Sequence, residues 1–271
     1  MSSYIQIEFQ RISQEVSDLL IAELNEIGYE GFEEKENGLV AFITSINFDE
    51  KILNEVIAQN PVSFSKSVVE ETNWNAVWES NFEPISVDNF VGLRADFHNP
   101  IKGVEHEIVI TPKMSFGTGH HATTFMMIQQ MREIDFSKKT VFDFGTGTGI
   151  LAILAERLGA VSILAVDNDD WSIANAAENF ERNHCIKVKL EKADSIMNSK
   201  HYDIILANIN KNIILDNLSS LIETLTPTGT LLLSGLLIED EADIVVAAAI
   251  FSLTMCKKTS KDNWICIRFN L

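Results

Sequence analysis

Cysteine is scarce. The chain of 271 residues holds only Cys185, Cys256 and Cys266, and none stands in a CxxC pair. Three is an odd number for a disulfide framework, and Cys256 and Cys266 lie in apolar sequence near the C-terminus, so all three read as reduced, inert thiols. The six histidines include one adjacent pair, His120–His121, with no nearby Cys, Asp or Glu to complete a metal site, and no metal is expected. Thirteen glycines and five prolines are too few for a fibrous or low-complexity chain. The apolar runs fall far short of the ~20 residues a spanning helix needs, so no membrane partner is expected. Met1–Gln10 carries only Glu8 as a charge and lacks the basic-then-apolar opening of a signal peptide. The expected location is cytoplasmic.

Basic residues are also few. Twenty-one Lys and Arg stand against 39 Asp and Glu, for a net charge of −18. The imbalance is uneven: residues 1–80 hold 4 basic and 15 acidic side chains, and residues 81–271 hold 17 and 24. A general nucleic-acid binder relies on Lys and Arg to neutralise phosphates, so no direct nucleic-acid binding is expected. A basic partner for the N-terminal part accounts for its acidity. A merely solvated acidic surface accounts for it as well. Apolar residues make up 46% and charged residues 22%, ordinary for a soluble globular protein, and the length suggests about two domains.

The first part reads strand, helix, hairpin, helix, strand. Tyr4–Phe9 alternates apolar and polar; Ser13 can cap a helix to about Ile27, ended by Gly28. Gly31–Glu36 and Leu39–Thr44 flank Asn37–Gly38, a strong hairpin signal. Asp49 opens a helix to about Gln59, and Ser63–Glu70 returns as a strand. This order suits a small α+β ferredoxin-like domain. It carries no catalytic constellation, which suggests recognition. Residues 71–85 read as a linker, with Trp74, Trp78 and Phe82 four apart, either a stripe gripping substrate or the apolar face of a packing helix. Residues 86–271 form a second domain. Its strand-rich opening leads to Met114–Thr124, a loop of small and polar residues. Strands then alternate with helices: Thr140–Phe144, Ser162–Asp167, Lys187–Glu191, Asp203–Asn208 and Thr230–Ser234, with helices over 149–158, 171–183, 213–225 and 238–249. This predicts an α/β parallel sheet, closed by an edge strand at Cys266–Phe269 after another near Leu253–Lys257.

The sharpest motif runs from Val141 through Asp143 and Phe144 to Gly145-Thr146-Gly147-Thr148-Gly149, and an apolar helix follows at once. Glycines there let a cofactor approach the backbone, and the helix N-terminus favours an anionic group. A dinucleotide fingerprint reads GxGxxG, whereas here the spacing is GxGxG, with Ile150 where the third glycine would be. Asp143 suits a cofactor with an ammonium group better than a pyrophosphate. Asp167 ends the next strand, 22 residues past Gly145, where a carboxylate can accept from both ribose hydroxyls. Together these describe S-adenosylmethionine in a class I methyltransferase with a Rossmann-like sheet; a nicotinamide-binding domain is the alternative. Asp194 lies where an adenine contact or an ordinary turn would fit. The fourth strand ends in Ala207-Asn208-Ile209-Asn210, and the acceptor oxygen of Asn208 can orient an amine, unless Asn208 is a turn residue. Methyl transfer to nitrogen requires a presented lone pair, so positioning and exclusion of water supply most of the catalysis.

The sequence resembles the PrmA family, the methyltransferases of large-subunit ribosomal protein 11. Three stretches carry the likeness: Lys113 to Thr124 (KMSFGTGHHATT), the Asp143–Gly149 loop, and Ala207 to Asn210. The resemblance implies transfer of several methyl groups to the α-amine and lysine side chains of that ribosomal protein, recognised by the N-terminal domain, with the linker as hinge. It also implies S-adenosylmethionine contacts at Thr124, Gly145, Asp167 and Asn208, with Phe116, Gly117 and Thr118 as a flexible lid. Asp143 and the glycine amides, Gly147 among them, would hold the cofactor's methionine part. This chain departs from the family loop at His120, where threonine is usual, and at Ala122, where proline is usual, which should loosen the loop. Thr146 and Thr148 stand where Cys or Ser is common, and Asn210 and Lys211 place polar groups near the amine site. The rival readings are a nucleic-acid base methyltransferase, a small-molecule methyltransferase and a cofactor-binding module without chemistry.

Overall fold

A computed structural model describes residues 3–35, 38–59, 62–70, 82–112, 119–194, 196 and 200–271. The chain divides into two compact units, Met1–Val77 and Trp78–Leu271.

The first unit contains β1 (Ser3–Gln10), α1 (Gln14–Glu26), β2 (Gly31–Lys35), β3 (Gly38–Thr44), α2 (Glu50–Gln59) and β4 (Phe64–Glu70). The strands form one antiparallel sheet in the order β2-β3-β1-β4. Alternation along β1 sends Ile5, Ile7 and Phe9 into a core with Leu20 and Leu24 of α1, Leu39 of β3 and Leu53 of α2. Ser13 caps α1 by accepting from the Val16 N–H at 3.4 Å, and Asp49 accepts from the Lys51 N–H at 2.8 Å ahead of α2. Lys35 pairs with Gly38, so Gly38 belongs to β3; Asn37 lies outside the described residues.

The second unit opens with β5 (Ile85–Val87), β6 (Val91–Ala95) and β7 (His106–Ile110), a three-stranded sheet. There follow α3 (Ala122–Met131), β8 (Thr140–Phe144), α4 (Ile150–Arg157), β9 (Ser162–Asp167), α5 (Asp170–Arg182) and β10 (Val188–Lys192). The chain continues with β11 (Tyr202–Asn208), α6 (Lys211–Glu223), β12 (Leu225–Leu237), a 3₁₀ turn at 238–240, α7 (Glu241–Ile250), β13 (Thr254–Lys261) and β14 (Trp264–Asn270). The main sheet has the order β10-β9-β8-β11-β12-β14-β13. Its first five strands are parallel, and β14 runs antiparallel to both neighbours. From β8 the chain proceeds outward to β9 on one side and returns at β11 on the other. The carboxyl ends of β8 and β11 therefore flank a topological switch point, the place where open α/β sheets bind ligands.

Period-2 alternation builds a core on each face. Val141, Ile204, Leu206 and Leu232 face one layer with α3, α4 and α5; Phe142, Phe144, Ile205, Leu231 and Leu233 face the other with α6 and α7. A stripe along α5 and its C-cap residue Asn183 joins two parts of the first layer. Asn183 exchanges bonds with Val109, accepting at 3.0 Å and donating at 2.6 Å, and Asn179 accepts from the Thr111 N–H at 2.7 Å.

Several boundaries differ from expectation. The stretch read as loop to Thr124 turns helical at Ala122, because His121 caps α3 by accepting from the Thr123 N–H at 3.4 Å. Ala122 is thus a first helical position, where proline is well tolerated. The 266–269 strand is not the sheet edge. β14 is interior and mostly buried, and the edge is the polar β13. Lysines at 257, 258 and 261 suit that edge, since charge there discourages pairing with other chains. Cys256 lies on β13 and is exposed, while Cys266 is buried and Cys185 half-buried. Burial raises the thiol pKa of Cys185 to about 11 and also raises that of Cys266. Trp74 and Trp78 lie outside the described residues; Phe82 is buried, its ring edge-on to His120 at 4.9 Å.

Candidate active site

The glycine motif forms the turn between β8 and α4. Gly145 and Thr146 donate their N–H groups to the Val166 carbonyl at 2.9 and 2.8 Å, and Gly149 donates to Thr146 at 2.9 Å. Gly145, Gly147 and Gly149 have φ of 76°, 56° and 81°, the left-handed region glycine enters without steric cost. Asp167 holds the centre of this turn. Its Oδ2 accepts from the Gly147 N–H at 2.8 Å, and its Oδ1 accepts from Asp169 at 3.1 Å. From the far side Asn179 donates to the Thr148 carbonyl at 2.8 Å, so α5 braces the loop that α4 continues.

Asp143, expected at the cofactor, is buried behind the loop and is not among the residues that line the cavity. Alternation along β8 turns it, with Val141, toward the α4 layer, and only 1% of it is exposed. Its Oδ2 accepts from the Thr146 hydroxyl at 2.6 Å, and the side chain is absent from the cavity wall. Burial pushes its pKa up to about 7; the Thr146 hydroxyl bond opposes the shift and the charge of Asp167 adds to it. Asp143 is therefore a buried brace of the loop.

A cavity of about 610 Å³ opens over the carboxyl ends of the strands. Gly145, Gly147, Asp167 and Asp194 line one side, with Asn168 and Ser172. Thr124, Asn208 and Asn210 line the other. Thr124 and Asn208 are 84 residues apart in sequence, yet the Asn208 amide donates to the Thr124 hydroxyl at 3.2 Å. Asn208 is 7% exposed, and its Oδ1 has no partner among the described residues. An orphaned buried acceptor on a cavity wall is costly unless a ligand satisfies it. Asn210 caps α6, accepting from Ile213 at 3.2 Å, whereas Lys211 is drawn off by Asp240 at 2.7 Å and Asp243 at 3.2 Å. Phe116, Gly117 and Thr118 lie outside the described residues.

The sequence reading missed part of this wall. Ile213, Asp216 and Asn217 line the cavity from α6, and their spacing after Asn210 is the three-and-four pattern of one helix face, a signal that could have found them. Gly235 and Trp264 also line it, with no local motif to mark them. The Trp264 ring lies edge-on to His121 at 4.7 Å.

A family model described as ribosomal protein L11 methyltransferase (PrmA) matches residues 9–271. The chain belongs to that family. The ribosomal protein L11 methyltransferase of Porphyromonas gingivalis is 40% identical over 260 residues, 93% of this chain and 90% of its own length. That of Phocaeicola vulgatus is 36% identical over 276 residues, 98% of each chain. The crystal structure of ribosomal protein L11 methylase from Lactobacillus delbrueckii subsp. bulgaricus matches with a TM-score of 0.64 at 30% identity, covering 69% of this chain and 98% of that one. The PrmA membership and the Rossmann-like sheet make this an S-adenosylmethionine-dependent protein methyltransferase.

Proposed function

We propose that this chain methylates the α-amine and lysine side chains of ribosomal protein L11, the protein named for its relatives. The observation that carries the reading is the unpartnered Oδ1 of Asn208, buried on the wall of the cavity over the glycine loop. An acceptor fixed there orients an amine with its N–H toward the protein and its lone pair free. The amide is held for that task by its bond to Thr124. S-adenosylmethionine, when bound, supplies a methyl group on an electrophilic sulfonium sulfur.

The cavity fits that cofactor. Gly145, Gly147 and Asp167 would hold it on the glycine-loop side, Asp194 at the adenine end, and Thr124 and Asn208 on the amine side; Phe116, Gly117 and Thr118 would form a lid. Asp143 would act through Thr146 on the loop. The α-amine, titrating near ~7.7–8.0, yields its lone pair more readily than lysine near ~10.4. The apolar wall from Ile209, Ile213 and Trp264 lowers the dielectric and disfavours the protonated amine. Residues 1–70 would recognise the basic ribosomal protein through their acidic surface, 71–85 would link, and 86–271 would carry the chemistry. The reading places the protein in the cytoplasm, without metal, membrane or direct nucleic-acid partners.

Intact-mass spectrometry of purified ribosomal protein L11, incubated with this protein and S-adenosylmethionine, tests it. Successive single-methyl mass steps, lost with Asn208→Ala, are the expected result. An unchanged mass while the cofactor still binds by calorimetry would overturn the substrate and keep the cofactor site.

A further inference from the structure

The turn that carries Asn208 into α6 is fastened at several points, and one fastening breaks a local rule. On the β12 side, Asn208 stands beside Ser234 in the parallel pair, and the Ile209 N–H donates to the Ser234 carbonyl at 3.2 Å. The Ile209 backbone lies so close to Gly235 that a Cβ there would sit 2.2 Å from the Ile209 carbonyl oxygen. Asn210 then caps α6 through the Ile213 N–H at 3.2 Å. Lys211 follows as the first residue of α6, where a cation opposes the positive end of the helix dipole, and no acidic residue shares that first turn. Its partners come from the start of α7. The Lys211 ammonium meets Asp240 Oδ1 at 2.7 Å and Asp243 Oδ2 at 3.2 Å. Asp240 is the more enclosed, its side chain 11% exposed against 61% for Asp243. Its other oxygen, Oδ2, accepts from the Leu237 N–H at 2.8 Å. Burial by itself would raise the Asp240 pKa, yet the Lys211 ammonium and the Leu237 N–H hold it below the ordinary value. One carboxylate thus ties the end of β12 and the 3₁₀ turn at 238–240 to the first residue of α6.

We propose that Lys211 and Asp240 are positioning residues for methyl transfer, an ion pair that fixes the 208–210 turn and with it the direction of the Asn208 Oδ1; the proposal rests on the amine-methyltransferase reading. The bond from the Asn208 amide to Thr124 fixes the nitrogen of that amide. Where the oxygen points depends also on the backbone of the turn, which the pair holds three residues further on. Neither Lys211 nor Asp240 lines the cavity, so the pair acts through the turn and not on a bound molecule. Its loss frees the first turn of α6 to shift against β12. An oriented displacement is sensitive to such shifts, because its rate depends on the alignment of the reacting atoms. The pair therefore bears on turnover rather than on capture of the substrate. It also accounts for a lysine at a helix start that disfavours one: Asp240 and Asp243 suit the start of α7, and Lys211 joins the two helices.

The test is steady-state methylation of purified ribosomal protein L11 by the full chain carrying Lys211→Met, Lys211→Arg, Asp240→Asn or Asp243→Asn, each assayed well below its own denaturation midpoint. Methionine keeps an apolar stem without the charge, and asparagine keeps an oxygen for the Leu237 N–H. In Lys211→Met and Asp240→Asn kcat should fall about tenfold, with the KM for L11 and the S-adenosylhomocysteine affinity by calorimetry within about twofold. The double variant should lose no more than either single one, since the two residues act as a unit. Lys211→Arg should keep kcat within about threefold of the wild type, and Asp243→Asn within about twofold. Should Asp240→Asn fail to fold, the contrast between Lys211→Met and Lys211→Arg decides the matter. A wild-type kcat in Lys211→Met overturns the proposal. So does a loss of L11 or cofactor binding in place of the kcat effect, or an equal loss in Lys211→Arg. No transfer by the wild-type protein overturns the methyltransferase reading itself, and the proposal with it.

Discussion

Alanine at position 235 places a Cβ 2.2 Å from the carbonyl oxygen of Ile209, 2.7 Å from its carbonyl carbon and 2.9 Å from its nitrogen. These neighbours are backbone atoms, so no rotamer change relieves the overlap, and β12 or the end of β11 must retreat by roughly 1 Å. The residue also sits at φ 82°, where alanine costs about 1–2 kcal/mol. Overpacking adds about 1–3 kcal/mol. The sum, about 2–5 kcal/mol, is a large share of the ~5–15 kcal/mol that stabilises a typical domain. The displaced residue follows Asn208 directly, so the damage reaches the proposed amine site as well. A misplacement of about 1 Å can slow an oriented reaction by about a hundredfold. Gly103 supplies the control, because its φ is 81° and nothing lies within 4 Å of its ideal Cβ. Gly103→Ala therefore carries backbone strain without overlap. Urea denaturation followed by tryptophan fluorescence, with methylation rates from intact mass, separates the two effects. Gly235→Ala should lose at least ~1 kcal/mol more than Gly103→Ala and most of its activity. Equal stabilities with wild-type rates in both would refute the reasoning.

Three further outcomes are expected. Asp143 has a folded-state pKa raised from 3.8 to about 7, so its stabilising contribution is full below about 4 and is lost as pH rises through 7. Asp143→Asn should flatten the stability profile across that window and gain on the wild type above it; parallel denaturation profiles from pH 4 to 8 would refute this. Asn179→Leu removes the bonds to the Thr148 carbonyl and the part-buried Thr111 N–H, at about 0.5–1.5 kcal/mol each, and should weaken S-adenosylhomocysteine binding because the glycine loop loses its brace. An unchanged denaturation midpoint and affinity would count against it. A chain of residues 78–271 should bind S-adenosylhomocysteine by calorimetry yet fail to methylate ribosomal protein L11; full activity would remove the recognition role from the N-terminal unit.

How far the sequence could be read depended on how local the signal was. The Ser13 cap, the alternation of β1 and the glycine turn are each fixed by residues within a few positions of one another, and all were legible. Helix α3 was not, because its start depends on a histidine cap in a loop rich in small residues. The strand expected at Thr230–Ser234 runs over Leu225–Leu237, so that Thr226, Pro227, Thr228 and Gly229 lie within it. The polar β13 concealed the true sheet edge, since an exposed edge need not be apolar.

By itself the sequence determined the alternation of strands and helices, the GxGxG turn, and the placing of Asp167 and Asn208 at strand ends. Periodicity and turn chemistry are properties of neighbours in the chain, so these needed nothing distant. Only the tertiary structure decided what those residues face. Sheet order set β11 beside β8 and brought Thr124 to Asn208 across 84 residues. The pleat turned Asp143 away from the cavity that its position in the motif suggested. The packing of α6, β12 and β14 supplied Asp216, Gly235 and Trp264, because a cavity wall is composed by whichever elements meet there.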